Sequence, residues 1–222
     1  MSFISQLEAA FDQKRNEENA FLMKKYMKNL FSFYGIKTDE RRAIFNELLK
    51  THKEEISDNY REIALILLKK EFRELQYCGI EILIKNLKKN YKKDDINLIE
   101  TFLVTNSWWD SVDTISKYLL GQYLIEFPNE TEKVIEGFSN SNNMWLNRSA
   151  ILFQLGYKKK TNYELLFSEC VKHAQSKEFF IQKAIGWALR EYGSVNPDLV
   201  LNFVNNTDLK PLSKKEAIRK LI

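Results

Sequence analysis

The chain has 222 residues, 44% of them apolar and 13% aromatic, with a formal net charge of +4. Such a content can fill a substantial core and excludes the polar, aromatic-poor class of disordered chains. Seven Gly and three Pro, set against abundant Lys, Leu, Glu and Ile, leave few turn formers and many helix formers, which points to an all-α protein. The mild basic excess, with a pI near 8.8, is compatible with a polyanionic partner without identifying one.

In chain order, Phe3, Leu7, Ala10 and Phe11 form a first amphipathic stripe, and a second helix runs from about Glu17 through Tyr26. Thr38-Asp39-Glu40 reads as the start of a third helix, with Thr38 as N-cap. Further starts are expected at Pro128, Asn143, Ser176 and Asn196-Pro197, where capping or first-turn residues precede periodic apolar runs. Gly35, Gly156 and Gly193 fall at helix ends or connections. About a dozen helices joined by short loops are expected, with no alternating strand.

Cys78 and Cys170, like His52 and His173, are too scattered for metal-ligand spacing, so neither a metal nor a cofactor is expected. Buried, reduced thiols fit a reducing cytoplasm. The start Met1-Ser2-Phe3-Ile4-Ser5 lacks the features of a signal peptide, and no stretch approaches the roughly 20 apolar residues of a membrane helix. A cytoplasmic chain with no membrane partner is therefore expected. The N-x-S/T matches at Asn129, Asn147 and Asn205 then carry no glycosylation message.

Internal repetition organises the chain. Trp145-x-x-Arg148-x-Ala150-Ile151-x-x-x-Leu155 matches Phe179-x-x-Gln182-x-Ala184-Ile185-x-x-x-Leu189, displaced by 34 residues. A weaker copy begins at Gln76-x-Cys78, and an intermediate copy would fall near Ser111. A period in the mid-thirties suggests a single domain over residues 1–222, an α-solenoid whose concave face binds an extended partner. An irregular helical bundle is the competing architecture.

Trp109 and Asp113, four residues apart, share one helix face, and so do Trp187 and Arg190, three apart. Trp108 and Asp110 point elsewhere and are read as structural. A solenoid brings Arg148 and Trp187 near the same concave surface as Trp109 and Asp113. Tryptophans, a carboxylate and arginines together suit a charged, planar, sugar-bearing ligand. The bland alternative makes the tryptophans core and the aspartates partners of nearby cations.

Several segments resemble the AlkD-type DNA alkylation repair proteins. They are Lys25-Tyr26-Met27-Lys28-Asn29 with Phe33-Tyr34-Gly35-Ile36 and Glu40-Arg41-Arg42, then the stretch from Thr105 to Asp113, Arg148 to Leu155, Ser176 to Trp187, and Pro211 to Ala217. The similarity runs in order along nearly the whole chain, although Lys37 and Gly156 depart from the usual pattern and the chain ends early after Arg219-Lys220. The resemblance implies a HEAT-like α-α superhelix that hydrolyses the N-glycosidic bond of cationic alkylated purines, mainly 3-methyladenine and 7-methylguanine, in duplex DNA. It implies Asp113 as catalytic carboxylate, Trp109 and Trp187 against the deoxyribose and backbone of the lesion, and Arg148 in support. Tyr26, Thr38, Arg42 and Arg190 would lie along the DNA-facing surface. Apart from the resemblance, lysines spread along the chain, Lys28 and Lys158 among them, could supply phosphate contacts, and each could equally form a solvated helix face. A monomer acting in base excision repair, nucleoid-associated when bound to DNA, is expected.

These residue types suit that reaction. Cleavage passes through an oxocarbenium-like state, which a carboxylate and aromatic faces stabilise. A cationic purine leaves as a neutral base, so no general acid is required. The rival expectations are a non-catalytic helical array that binds damaged or branched DNA and a protein-binding scaffold.

Overall fold

The computed structural model describes residues 2–88, 90–219 and 221, and its regular structure there is helical. Among these residues the only β-type pairing is an isolated parallel bridge between Ser32 and Phe72. The all-α class expected from composition is therefore observed. The chain divides into two compact units, Met1–Asn90 and Tyr91–Ile222.

The first unit contains α1 (Phe3–Gln13), α2 (Glu17–Tyr26), α3 (Thr38–Thr51), α4 (Lys53–Leu68) and α5 (Arg73–Leu87). The expected stripe of α1 is its buried face, since Phe3, Leu7 and Phe11 are fully enclosed while Ala10 is only half-buried. The second helix has the expected bounds, with Asn16 accepting a hydrogen bond from the Asn19 N–H at its start. Thr38, expected as a cap, is instead the first residue of α3. Lys37 occupies the cap position without a side-chain hydrogen bond. The intervening loop is held by Glu74 at the start of α5, whose buried carboxylate accepts the N–H groups of Tyr34, Gly35 and Ile36 at 3.1, 2.9 and 3.3 Å. Gly35 has φ +86°, and a Cβ there would meet the Asn16 carbonyl oxygen at 2.1 Å. Only glycine fits that turn.

The second unit contains α6 (Asp95–Val104), α7 (Trp109–Ile115), α8 (Gly121–Glu126), α9 (Thr131–Ser139), α10 (Met144–Leu152), α11 (Tyr163–Lys172), α12 (Phe179–Gly193), α13 (Pro197–Asn206) and α14 (Pro211–Ile218). Asn143 caps α10 and Asn196 caps α13 with Pro197 next, as expected. Pro128 opens a 3-10 turn ahead of α9, whereas α12 begins three residues beyond Ser176. A π-helical turn, Ser116–Leu120, joins α7 to α8 without a break. Helix α10 packs against α6, α7, α9, α11 and α12, so it forms the centre of this unit. Its apolar face joins a core with Ile151, Leu155, Cys170, Ile185, Leu189, Val200 and Ala217 among its members. Both cysteines are free and buried.

The repeat read from sequence has a structural counterpart. Helices α5, α7, α10 and α12 begin at Arg73, Trp109, Met144 and Phe179, spaced by 35 or 36 residues. Three of these four starts fall within the second unit, and they carry the candidate site.

Candidate active site

Helix α7 begins at Trp109, and Asp113 follows one turn later on the same face. At its start, the Ser111 hydroxyl donates to the Trp108 carbonyl at 3.1 Å and lies 3.4 Å from the Trp108 N–H. One turn beyond Asp113, Ser116 donates to the Val112 carbonyl at 2.7 Å and meets the Ser149 hydroxyl of α10 at 2.9 Å. This buried hydroxyl pair fixes the two helices next to one another. Beside it, Arg148 of α10 donates from Nε to Asp113 Oδ1 at 2.7 Å and from Nη2 to Oδ2 at 2.9 Å. The side chains are 5% and 13% exposed for Arg148 and Asp113. The remaining guanidinium nitrogen, Nη1, donates to the Phe180 carbonyl in the first turn of α12.

This fork-to-fork geometry is the strongest form of carboxylate pairing, because two parallel charge-assisted bonds fix both distance and plane. Burial nevertheless pushes the Asp113 carboxyl above its ordinary range. Arg148 pulls in the opposite direction, through its hydrogen bonds and its charge, without fully offsetting the loss of water. A carboxylate held in place yet costly to ionise is a common property of groups that do chemistry.

An aromatic cluster reaches the arginine of the pair through Phe180. Trp108, Trp145 and Phe180 form a three-ring cluster with centroid separations of 5.7, 5.1 and 5.2 Å. These lie within the range of favourable edge-to-face and tilted contacts. The Arg148 guanidinium carbon is 5.9 Å from the Phe180 ring centre. The indole Nε1 of Trp108 is buried without a hydrogen-bond partner. Trp109 is half-buried at the start of α7. Trp187, also half-buried, lies about two turns along α12 from Phe180 and packs on the apolar core of the second unit.

Of the four residues expected to carry chemistry, the structure joins Asp113 to Arg148 directly, with Trp109 one turn from Asp113. Trp187 sits on the helix whose first turn holds Arg148. The expected DNA-contact residues divide between the units. In the first, Tyr26 is 69% exposed at the end of α2. Lys28 is exposed in a left-handed conformation with φ 57°, and Thr38 is exposed at the start of α3. Arg42 is exposed and shares Glu81 with buried Arg41, at 3.1 and 2.6 Å. In the second unit, Lys158 is exposed with φ 55° in a 3-10 turn. Arg190 is half-buried and bound to Glu216 at 2.6 Å, an acceptor that the sequence reading did not anticipate.

The sequence reading missed Trp145 and Phe180 as parts of the site. The 34-residue repeat places aromatic residues at both helix starts but aligns Trp145 with Phe179. It is the neighbouring ring, Phe180, that meets Trp145. A second polar cluster joins α9 to α11. Ser139 Oγ donates to Glu169 and lies 2.8 Å from His173 Nε2, while Glu169 and that same nitrogen are 4.0 Å apart. A nucleophilic triad needs its acid on the opposite ring nitrogen. Here the serine and the acid face the same nitrogen, so the cluster ties helices together and sets up no nucleophile.

No group of three His, Cys, Asp or Glu side chains able to hold a metal occurs among the described residues. No helix of the described residues is long and apolar enough to cross a membrane.

Comparison with known proteins places this geometry in context. No curated protein matches the chain. A solved structure described as a predicted DNA alkylation repair enzyme from Enterococcus faecalis is 32% identical, with a TM-score of 0.86 over 93% of this chain and 96% of that one. The structure of smu.31 from Streptococcus mutans UA159 is 14% identical and superposes with a TM-score of 0.61 over 92% of this chain and 98% of that one, a likeness of fold alone. The family described as "DNA alkylation repair enzyme" matches residues 7–221, nearly the whole span over which the helices and the paired Asp113 and Arg148 are laid out. The chain belongs to the DNA alkylation repair enzyme family.

Proposed function

We propose that the protein is a DNA glycosylase that hydrolyses the N-glycosidic bond of cationic alkylated purines, 3-methyladenine and 7-methylguanine among them, in duplex DNA. Such a reaction would initiate base excision repair. The observation that carries this reading is the buried Asp113 carboxylate, held bidentately by Arg148 and one helical turn from Trp109.

In this reading positive charge develops on the deoxyribose as the bond to the purine lengthens. Asp113 stabilises that charge and accepts the proton of the water that adds to C1′. The bonding electrons leave with the purine, which departs neutral because alkylation had already made it cationic. Trp109 and Trp187 offer the negative faces of their rings to the same cation, each contributing roughly 0.5–2 kcal/mol where water is excluded. Arg148 keeps the carboxylate oriented. Tyr26, Lys28, Thr38, Arg42, Lys158 and Arg190 are assigned to the DNA backbone, which calls for binding that weakens steeply with salt.

One observation favours a second reading. Both Asp113 oxygens already accept from Arg148, as in an ion pair that only braces the fold, and on that reading the protein would bind damaged DNA without cutting it. Incubation with duplex DNA containing 7-methylguanine, followed by measurement of free base, separates the two. Base release should fall on the order of a hundredfold or more in Asp113→Asn, while binding of the same duplex persists. Binding without release by the unmodified protein would establish the second reading, and equal release by the variant would remove Asp113 from its role.

A further inference from the structure

We propose that Trp145 is a positioning residue for the Asp113–Arg148 pair, acting through the first turn of α12. The proposal deepens the glycosylase reading, on which only its activity measurement rests.

Trp108 caps α7, Trp145 is the second residue of α10, and Phe180 is the second residue of α12. The three-ring cluster thus joins the starts of the three helices that carry Asp113, Arg148 and Trp187. Trp145 precedes Arg148 by three residues, so both project from one face of α10. Its ring touches Phe180 at 5.2 Å and Trp108 at 5.7 Å.

Phe180 is the link to the chemistry. Its carbonyl accepts from Arg148 Nη1, while Nε and Nη2 of the same guanidinium hold the two Asp113 oxygens. A guanidinium is planar, so anchoring Nη1 also fixes the plane in which the other two nitrogens meet the carboxylate. The Phe180 ring rests against Trp145, Trp108 and its own neighbour Phe179, and of these only Trp145 comes from the helix that carries Arg148, so it is the ring that ties the Phe180 backbone to the guanidinium. Without the Trp145 ring the first turn of α12 loses a wall, its carbonyl retreats from Nη1, and the fork is free to rotate off Asp113.

Loss of this anchor has a consequence that simple loss of packing lacks. Arg148 is what offsets the desolvation of Asp113. A loosened fork therefore raises the Asp113 pKa further, and the acid limb of base release moves to higher pH. A purely structural role for Trp145 would lower the folded fraction and leave both properties unchanged.

The test uses the full chain with ¹³C-labelled aspartate, the Asp113 signal being assigned by its loss in D113N. Trp145→Leu retains apolar volume without a ring, and Trp145→Phe restores a ring. W145L should raise the Asp113 pKa and W145F should return it towards the unmodified value. On 7-methylguanine DNA at saturation, W145L should release base roughly tenfold more slowly or worse, with its acid limb displaced upward and its DNA affinity little changed. An unchanged Asp113 titration in folded W145L, or a W145F no better than W145L, overturns the proposal. If W145L does not fold, the Arg148 guanidinium protons of the unmodified protein decide. Hindered rotation and slow exchange are expected, and a freely rotating fork overturns the proposal. If the unmodified protein releases no base, the glycosylase reading fails, while the aspartate titration still tests the positioning role.

Discussion

Two carboxylates in the second unit are both gripped by cations, and their surroundings push them in opposite directions. Asp113 accepts both bonds from one arginine deep between α7 and α10, and its pKa lies above the ordinary range because burial outweighs the pairing. Glu216 of α14 accepts from Lys183 at 2.8 Å and from Arg190 at 2.6 Å, and these two cations pull its pKa down to about 2. An ion pair by itself therefore says little about role. The Glu216 arrangement is relaxed, as a clasp between α12 and α14 should be. The Asp113 arrangement is held against its preference by the fold, and that makes it the candidate for chemistry.

The sharpest way to break this contrast is to remove one cation from the strained pair. Arg148→Met leaves the Asp113 carboxylate buried and unmatched, and should cost about 3–5 kcal/mol of stability at neutral pH. Asp113 holds its proton more tightly folded than unfolded. Its favourable contribution is therefore complete below the ordinary carboxylate range and is lost as pH rises through the raised value. Without Arg148 that loss is steeper, so urea melts across a pH series should show the R148M deficit shrinking in acid. A deficit independent of pH would mean that Asp113 is not under the strain described.

A smaller effect tests the clasp as packing. At Gly186 a Cβ would come within 2.4 Å of the Glu216 Cβ and 3.0 Å of the Ser213 carbonyl oxygen. Gly186→Ala should therefore cost about 1–3 kcal/mol by forcing α14 off α12. Thermal unfolding measures this, and an unaltered midpoint would show that the close approach is not needed.

The smallest effect is expected for Glu216→Gln, about 1 kcal/mol or less, because its partners Lys183 and Arg190 are 36% and 20% exposed and water screens them. The sign is that of a depressed carboxyl. Stabilisation is present above the ordinary glutamate range and disappears as pH falls towards about 2. Side by side, the R148M deficit should begin to fade at a higher pH than the E216Q deficit. A common pH window for both would erase the distinction between the two carboxylates.

Much of this was legible in the sequence because it depends on local rules. Asn143 and Asn196 cap α10 and α13, Pro197 follows the second of these caps, and the Phe3-Leu7-Phe11 stripe is buried as its spacing requires. The repeat period likewise survives as the regular spacing of helix starts. Thr38 failed as a cap because the chain enters α3 one residue earlier, without a side-chain hydrogen bond. What was not legible depends on contacts a whole repeat apart. Asp113 and Arg148 are separated by 35 residues, and nothing in helical periodicity says that an arginine on one repeat grips an aspartate on the preceding one. The same holds for Glu216 and Arg190. With Phe179 and Phe180 adjacent, the sequence repeat also leaves open which ring faces Trp145, and one residue of phase decides it.

The regular spacing of α7, α10 and α12 has a consequence for how the molecule tolerates change. Packing asks each helix only to fit its neighbours, so a whole repeat could be duplicated or excised with the apolar seams still closing. The candidate site asks for more, since an acid, a cation and a carbonyl must come from three successive modules in fixed order. An alteration spanning one full module could therefore preserve the helical packing on either side of it while erasing the chemistry.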